Sequence, residues 1–272
     1  MVSVVCVYND ETLLNNTLLK SLEKQTANHE TILLNNSLGT YGSAAEALNF
    51  GGRKAKGEFL LFVHQDVDFF SCDWLEKATA YLRALPDVGI AGIAGKSNKK
   101  ATITNIKHGN PPILAGGIQI EKPTKVQTLD ECLIIIPKTV FNTLEFDEKT
   151  CIDWHLYAVD YCLSLEKYLY SVYVLPLFIH HISTGHSISE KYFSSLKNVI
   201  KKHRKEHKVI FTTIHNWDAN RPLILQRVQR KYKLLEEKFL VIVLRFLDFL
   251  GIKNQLKSSI NFFIPKRKKG PF

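Results

Sequence analysis

The chain has 272 residues, 45% of them hydrophobic and 23% charged, with a formal net charge of +10. That length buries a full α/β core and is long for one simple domain, so a catalytic domain with a C-terminal extension fits it. Five cysteines, an odd number with no Cys-x-x-Cys pair, argue against a disulfide framework or a zinc site and for the reducing cytosol.

Met1 leads straight into the apolar run Val2 to Tyr8, so no signal peptide is expected. The run is short enough for a buried parallel strand and ends in the turn signal Asn9-Asp10. From Asp10 to Gln25, Leu13, Leu14, Leu18 and Leu22 recur at helical spacing, with Asn9 or Asp10 available to cap the first turn. Glu30 to Leu34 is a second predicted strand, ending at Asn35-Asn36-Ser37, and Gly42 to Lys56 an Ala-rich helix. A third strand follows Glu58 and stops abruptly at His64-Gln65-Asp66. Three strand–helix alternations in succession predict a mostly parallel sheet built by right-handed crossovers. Residues two apart in a strand point the same way, so His64 and Asp66 face one ligand together from the strand end, where open α/β sheets bind. A divalent cation held there by a carboxylate would in turn hold a diphosphate, because hard cations favour oxygen ligands.

Further along, Trp154 to Leu169 is predicted as a helix in which Asp160 shares the inward stripe of Leu156 and Leu163. A carboxylate on such a face does chemistry, pairs with a buried lysine or arginine, or caps a neighbouring backbone turn. The apolar run Val172 to Ile179 is broken by Pro176 and leads to His180 and His181, whose rings alternation sends to opposite faces. Gly95 to Gly117 has no readable pattern; Gly116-Gly117 is either a plain turn or backbone that lines an acceptor cleft.

Ser3 to Asn9, Asn35-Asn36-Ser37, the approach from Asn49 to Glu58, and His64-Gln65-Asp66 together resemble the family-two glycosyltransferases with the GT-A fold. Phe146-Asp147-Glu148, Trp154 to Leu163, Val174-Leu175-Pro176 and His181 to Gly185 resemble the acceptor-side motifs of a bacterial branch, so the likeness covers roughly residues 1 to 190. It implies a Rossmann-like, mostly parallel sheet flanked by helices, with residues 1–95 binding the nucleotide sugar and 96–190 the acceptor. It implies Asp66 as metal ligand, His181 as a further metal or diphosphate contact, and Mn2+ or Mg2+ as cofactor. Tyr8 stands where the base stacks, and Asn35 where the family has an aspartate that accepts from a pyrimidine. Asn49, His64 and Gln65 fall among the donor contacts. The family's Asp-x-Asp is His64-Gln65-Asp66 here, so His64 is a ligand, a phosphate donor or a strand-end filler. Asp160 falls at the catalytic carboxylate, with Asp153 and Glu131 as alternatives. The implied reaction is single displacement with inversion, moving a sugar from a nucleotide-diphosphate donor to a glycan or lipid-linked acceptor, as in assembly of a bacterial surface glycan. A nucleotidyltransferase is the nearest alternative.

Residues 1–190 carry 16 Lys and Arg against 21 acids, whereas 191–272 carry 20 against 5. The second stretch includes Lys201-Lys202-His203-Arg204-Lys205, a helical pattern from Pro222 to Leu250, and Lys266-Arg267-Lys268-Lys269. Its apolar segment Phe239 to Leu250 is shorter than the roughly 20 residues that cross a bilayer, so it lies on an anionic cytoplasmic membrane face or against protein, in this chain or a homo-oligomer. A basic nucleic-acid-binding protein is a further alternative, but no helix-turn-helix, zinc pattern or interleaved aromatics accompany the charge.

Overall fold

The computed structural model describes residues 1–98, 101–183 and 188–249. Thr184-Gly185 and the Lys266 to Lys269 cluster lie outside those residues. The chain forms two compact units, Met1–Asn220 and Arg221–Phe272. The first therefore runs past the boundary expected at 190. Helix Glu190–His203 buries Tyr192, Leu196 and Val199 at helical spacing, while Lys197, Lys201, Arg204 and Lys205 stay exposed. The charge contrast across residue 190 sums over this helix's wet face and is blind to its apolar stripe.

The strands β1 (Val2–Tyr8), β2 (His29–Asn35) and β3 (Phe59–Val63) pair in parallel, with β1 between the other two. They form one end of a seven-stranded sheet that continues through Leu133–Pro137, Val88–Gly92, Ser171–Val174 and Thr124–Val126. Five strands share a direction; Leu133–Pro137 and Thr124–Val126 oppose it. Both faces are apolar, as a covered sheet requires. Val4, Cys6, Leu61 and Val63 belong to one core, and Val5, Leu60, Phe62 and Ile134 to the other.

The first helix begins at Glu11, capped by Asp10, which accepts from the Leu13 N–H at 2.9 Å; Asn15–Leu19 is a π-helical segment within it. Helix Ala44–Lys54 carries a reciprocal cap, in which Ser43 Oγ accepts from the Glu46 N–H and the Glu46 carboxylate from the Gly42 N–H. Gly51 lets this helix lie close on the sheet, since a Cβ there would fall 2.4 Å from Val5 Cγ1.

A smaller sheet of Val67–Phe69, Ile179–His181, Ile106–His108 and Ile113–Leu114 stands beyond the end of β3. The predicted helix 154–169 is shorter in the structure: Leu156 has φ 67°, the helix is Tyr157–Ser164, and a 3-10 turn completes it at Tyr168. All eight helical residues are buried, so helical spacing could not single out one inward face. Gly117 (φ 144°) holds the backbone against Thr102, where a Cβ would meet the carbonyl oxygen at 2.5 Å. It is not part of the cavity described below.

Candidate active site

A cavity of about 700 Å³ opens at the C-terminal edge of β1 and β3. Tyr8, His64, Gln65, Asp66 and His181 all line it. Gln65 joins the two strand ends: its Oε1 accepts from the N–H groups of Asn9 (2.9 Å) and Asp10 (3.1 Å), and its Nε2 donates to Asn9 Oδ1 (2.9 Å).

The smaller sheet delivers His181. Its register pairs His181 with Val67 on one side and with His108 on the other, so His181 arrives beside Asp66, the residue preceding Val67. His181 Nε2 lies 3.1 Å from Asp66 Oδ1, and Asp66 Oδ2 accepts from the Ser183 N–H at 3.2 Å. Alternation turns His180 the other way, where its Nε2 meets the Gly109 carbonyl at 2.7 Å. One ligand atom from each of His64, Asp66 and His181 lies within 4.8 Å of the others.

Burial disfavours the charged form of Asp66, but the hydrogen bond from His181 and the nearby imidazoles outweigh it and hold the carboxyl well below the usual carboxylate range. Loss of hydration, and then the neighbouring His181, lowers the His64 pKa and favours a neutral imidazole, the form that ligates. His181 Nδ1 is buried and has no hydrogen-bond partner among the described residues. An ionised carboxylate, a neutral imidazole and an unsatisfied buried ring nitrogen fit a divalent cation.

Three expected residues stand elsewhere. Asn49 is buried and holds the chain at Phe146, donating to its carbonyl and accepting from its N–H, both at 2.9 Å, so its amide is committed to structure. Asn35 is exposed at the end of β2 and accepts from the Ser37 N–H at 2.8 Å; its neighbour Asn36 reaches the cavity instead. Asp160 does not line the cavity. Its Oδ1 accepts from His203 Nε2 and its Oδ2 from Lys202 Nζ, each at 2.7 Å, and Lys202 also reaches Asp147 at 2.9 Å. This is a buried ion-pair network tying helix Tyr157–Ser164 to helix Glu190–His203. Asp153 likewise stands apart, accepting from the Trp154 N–H and pairing with Lys191.

Glu131, the other alternative, does line the cavity. Loss of hydration, reinforced by Asp130, pushes its carboxyl up to about 8, against the pull of N–H groups at the start of helix Tyr157–Ser164. Oε1 faces the Ala158 N–H at 3.4 Å. Sequence reasoning touched Trp154 only as the start of an acceptor-side motif and missed Tyr192, Thr212 and Thr213; all four line the same cavity. No periodicity marks them, because they come from a loop, a helix face and a hairpin far apart in the chain.

The sequence profile described as "Glycosyltransferase like family" matches residues 3–212. The chain belongs to that family. No curated protein matches it in sequence. Solved glycosyltransferase structures share its fold, GT-A, at low identity. S. aureus TarS 1-349 in complex with UDP-GlcNAc is 17% identical with a TM-score of 0.51, over 74% of this chain and 66% of that one. The mannosyltransferase PcManGT from Pyrobaculum calidifontis, in complex with GDP-Man and Mn2+, is 14% identical with a TM-score of 0.52, over 76% and 65%. GalNAc-T7 with UDP, GalNAc and Mn2+ is 13% identical with a TM-score of 0.53, over 73% and 48%. This glycosyltransferase-like chain thus spans about two thirds or less of each of these proteins.

Proposed function

We propose that this chain moves a sugar from a nucleoside-diphosphate donor to a hydroxyl of a glycan acceptor, with inversion at the anomeric carbon. The observation that carries the reading is the grouping of His64, Asp66 and His181 at the mouth of β3, inside one cavity with Tyr8 and Glu131. The family match and neighbours solved with UDP-GlcNAc, GDP-Man and Mn2+ support it.

Asp66 and the two imidazoles would hold the cation. A cation held there would supply positive charge to offset the negative charge that grows on the departing diphosphate as the glycosidic bond breaks. Two nitrogens and one carboxylate oxygen suit Mn2+ better than Mg2+, which prefers oxygen ligands throughout. Tyr8 offers its ring face to the base, a contact of about 1 to 3 kcal/mol in nucleic-acid systems.

The proton of the acceptor hydroxyl goes to Glu131. Its raised pKa makes it a stronger base than an exposed carboxylate, and general-base assistance contributes about 100-fold to 10,000-fold. Asp160, with its oxygens taken by Lys202 and His203, is the less suitable acceptor. Trp154 and Tyr192 contribute aromatic rings to the cavity wall, which suits the apolar face of a sugar.

The test is a panel of UDP- and GDP-sugars incubated with glycan acceptors and with Mn2+ or Mg2+. Release of nucleoside diphosphate, strongest with Mn2+, and an anomeric proton signal of inverted configuration are expected. Pyrophosphate release from a nucleoside triphosphate, without turnover of any sugar donor, overturns the reading in favour of nucleotidyl transfer.

A further inference from the structure

The helix Leu223–Phe249 carries an exposed apolar surface. Ile224, Val228, Tyr232, Leu235, Phe239 and Ile242 are each 48% to 68% exposed. At 3.6 residues per turn, these six fall within an arc of about 80°, a continuous apolar stripe. A stripe of this size on a monomer's surface marks an interaction site.

Charge identifies what meets it. Residues 221–272 hold 13 Lys and Arg against 3 acids, and residues 1–220 hold 23 of each, so the whole +10 of the chain belongs to the second unit. Exposed Lys231 borders the apolar arc and exposed Lys233 lies away from it. The spacing of the stripe would also suit a paired helix, but a second copy of a segment this positive would be repelled. Nucleic acid would meet the charge and leave the apolar side chains in water. A bilayer carrying anionic lipid satisfies both. No helix among the described residues is long and apolar enough to cross a membrane.

We infer that Leu223–Phe249 lies in the plane of an anionic lipid surface, its apolar stripe at the acyl boundary and its basic side chains among the headgroups. The inference is independent of the sugar-transfer reading, so either can fail alone.

The experiment is flotation of the full chain with phosphatidylcholine vesicles, with and without about 30% phosphatidylserine. Binding to the anionic vesicles only, weakening as salt rises, is expected. The double variant Val228→Glu/Phe239→Glu should lose at least tenfold in binding, and Lys231→Gln/Lys233→Gln should weaken it less. All three tryptophans lie within residues 1–220, so their fluorescence reports that the first unit stays folded in each variant. Phe239→Trp supplies a second reading, a blue shift with anionic vesicles and none with neutral ones. Vesicle binding untouched by the double variant overturns the inference. So does a dimer dissolved by that variant without vesicle binding, or duplex DNA binding without vesicle binding.

Discussion

His64 donates its backbone N–H to the Cys132 carbonyl at 3.0 Å, extending the ladder between β3 and the antiparallel strand Leu133–Pro137. Because Leu133–Pro137 runs against its neighbours, its N-terminal end lies where theirs end. Residues that precede this strand thus meet residues that follow β3, and Glu131 reaches the cavity that holds His64 and Asp66.

Glu131→Gln should lower transfer by about 100-fold to 10,000-fold while leaving the donor KM near its wild-type value. A group pushed up to about 8 gains its basic form as pH rises, so wild-type kcat/KM should climb with pH to a midpoint no higher than about 8. Initial rates from pH 6 to 9 check this; a Glu131→Gln enzyme that keeps its rate and its pH climb removes Glu131 from the chemistry.

His64→Asp should shift metal preference. Replacing an imidazole with a carboxylate makes the site harder, so activity with Mg2+ should rise relative to Mn2+. The Mn2+/Mg2+ rate ratio measures it, and Mn2+ binding followed by electron paramagnetic resonance supplies a readout apart from turnover. Asp66→Asn should abolish that binding.

Lys202→Met should cost about 3 to 5 kcal/mol of stability, because it strips one counter-charge from buried Asp160. Urea unfolding measures the loss. Asp160→Asn should act on stability in the same direction and leave the residual transfer rate within a few-fold of wild type; a large loss of kcat in a folded protein returns the base role to Asp160.

Gly51→Ala tests the helix–sheet contact. Alanine favours a helix by about 1 kcal/mol over glycine, yet overpacking of a close contact costs about 1 to 3 kcal/mol. With a Cβ at 2.4 Å from Val5 on a central strand, the clash should prevail and the midpoint of unfolding should fall.

Local pattern was enough for β1, β2 and β3, for a cap at Asn9 or Asp10, and for the strand-end cluster His64-Gln65-Asp66. Each depends on residues a few positions apart, where strand period, cap chemistry and the stop of an apolar run are written directly. The fold resemblance rested on the same short-range signals in order. Asp160 shows the limit: its position among leucines correctly signalled burial, but the side chains that claim it, Lys202 and His203, lie on another helix within what reads as a solvated basic run.

Which acid faces the cavity depends on strand direction and on which helix packs over which, relations between segments far apart in the chain. The antiparallel insertion of Leu133–Pro137 brings Glu131 to the site, and the pairing of Ile179–His181 with Val67–Phe69 brings His181 to Asp66. A linear pattern records how apolar and polar residues alternate; it does not record which partner each face will find, because that is settled by competition among all the surfaces buried together.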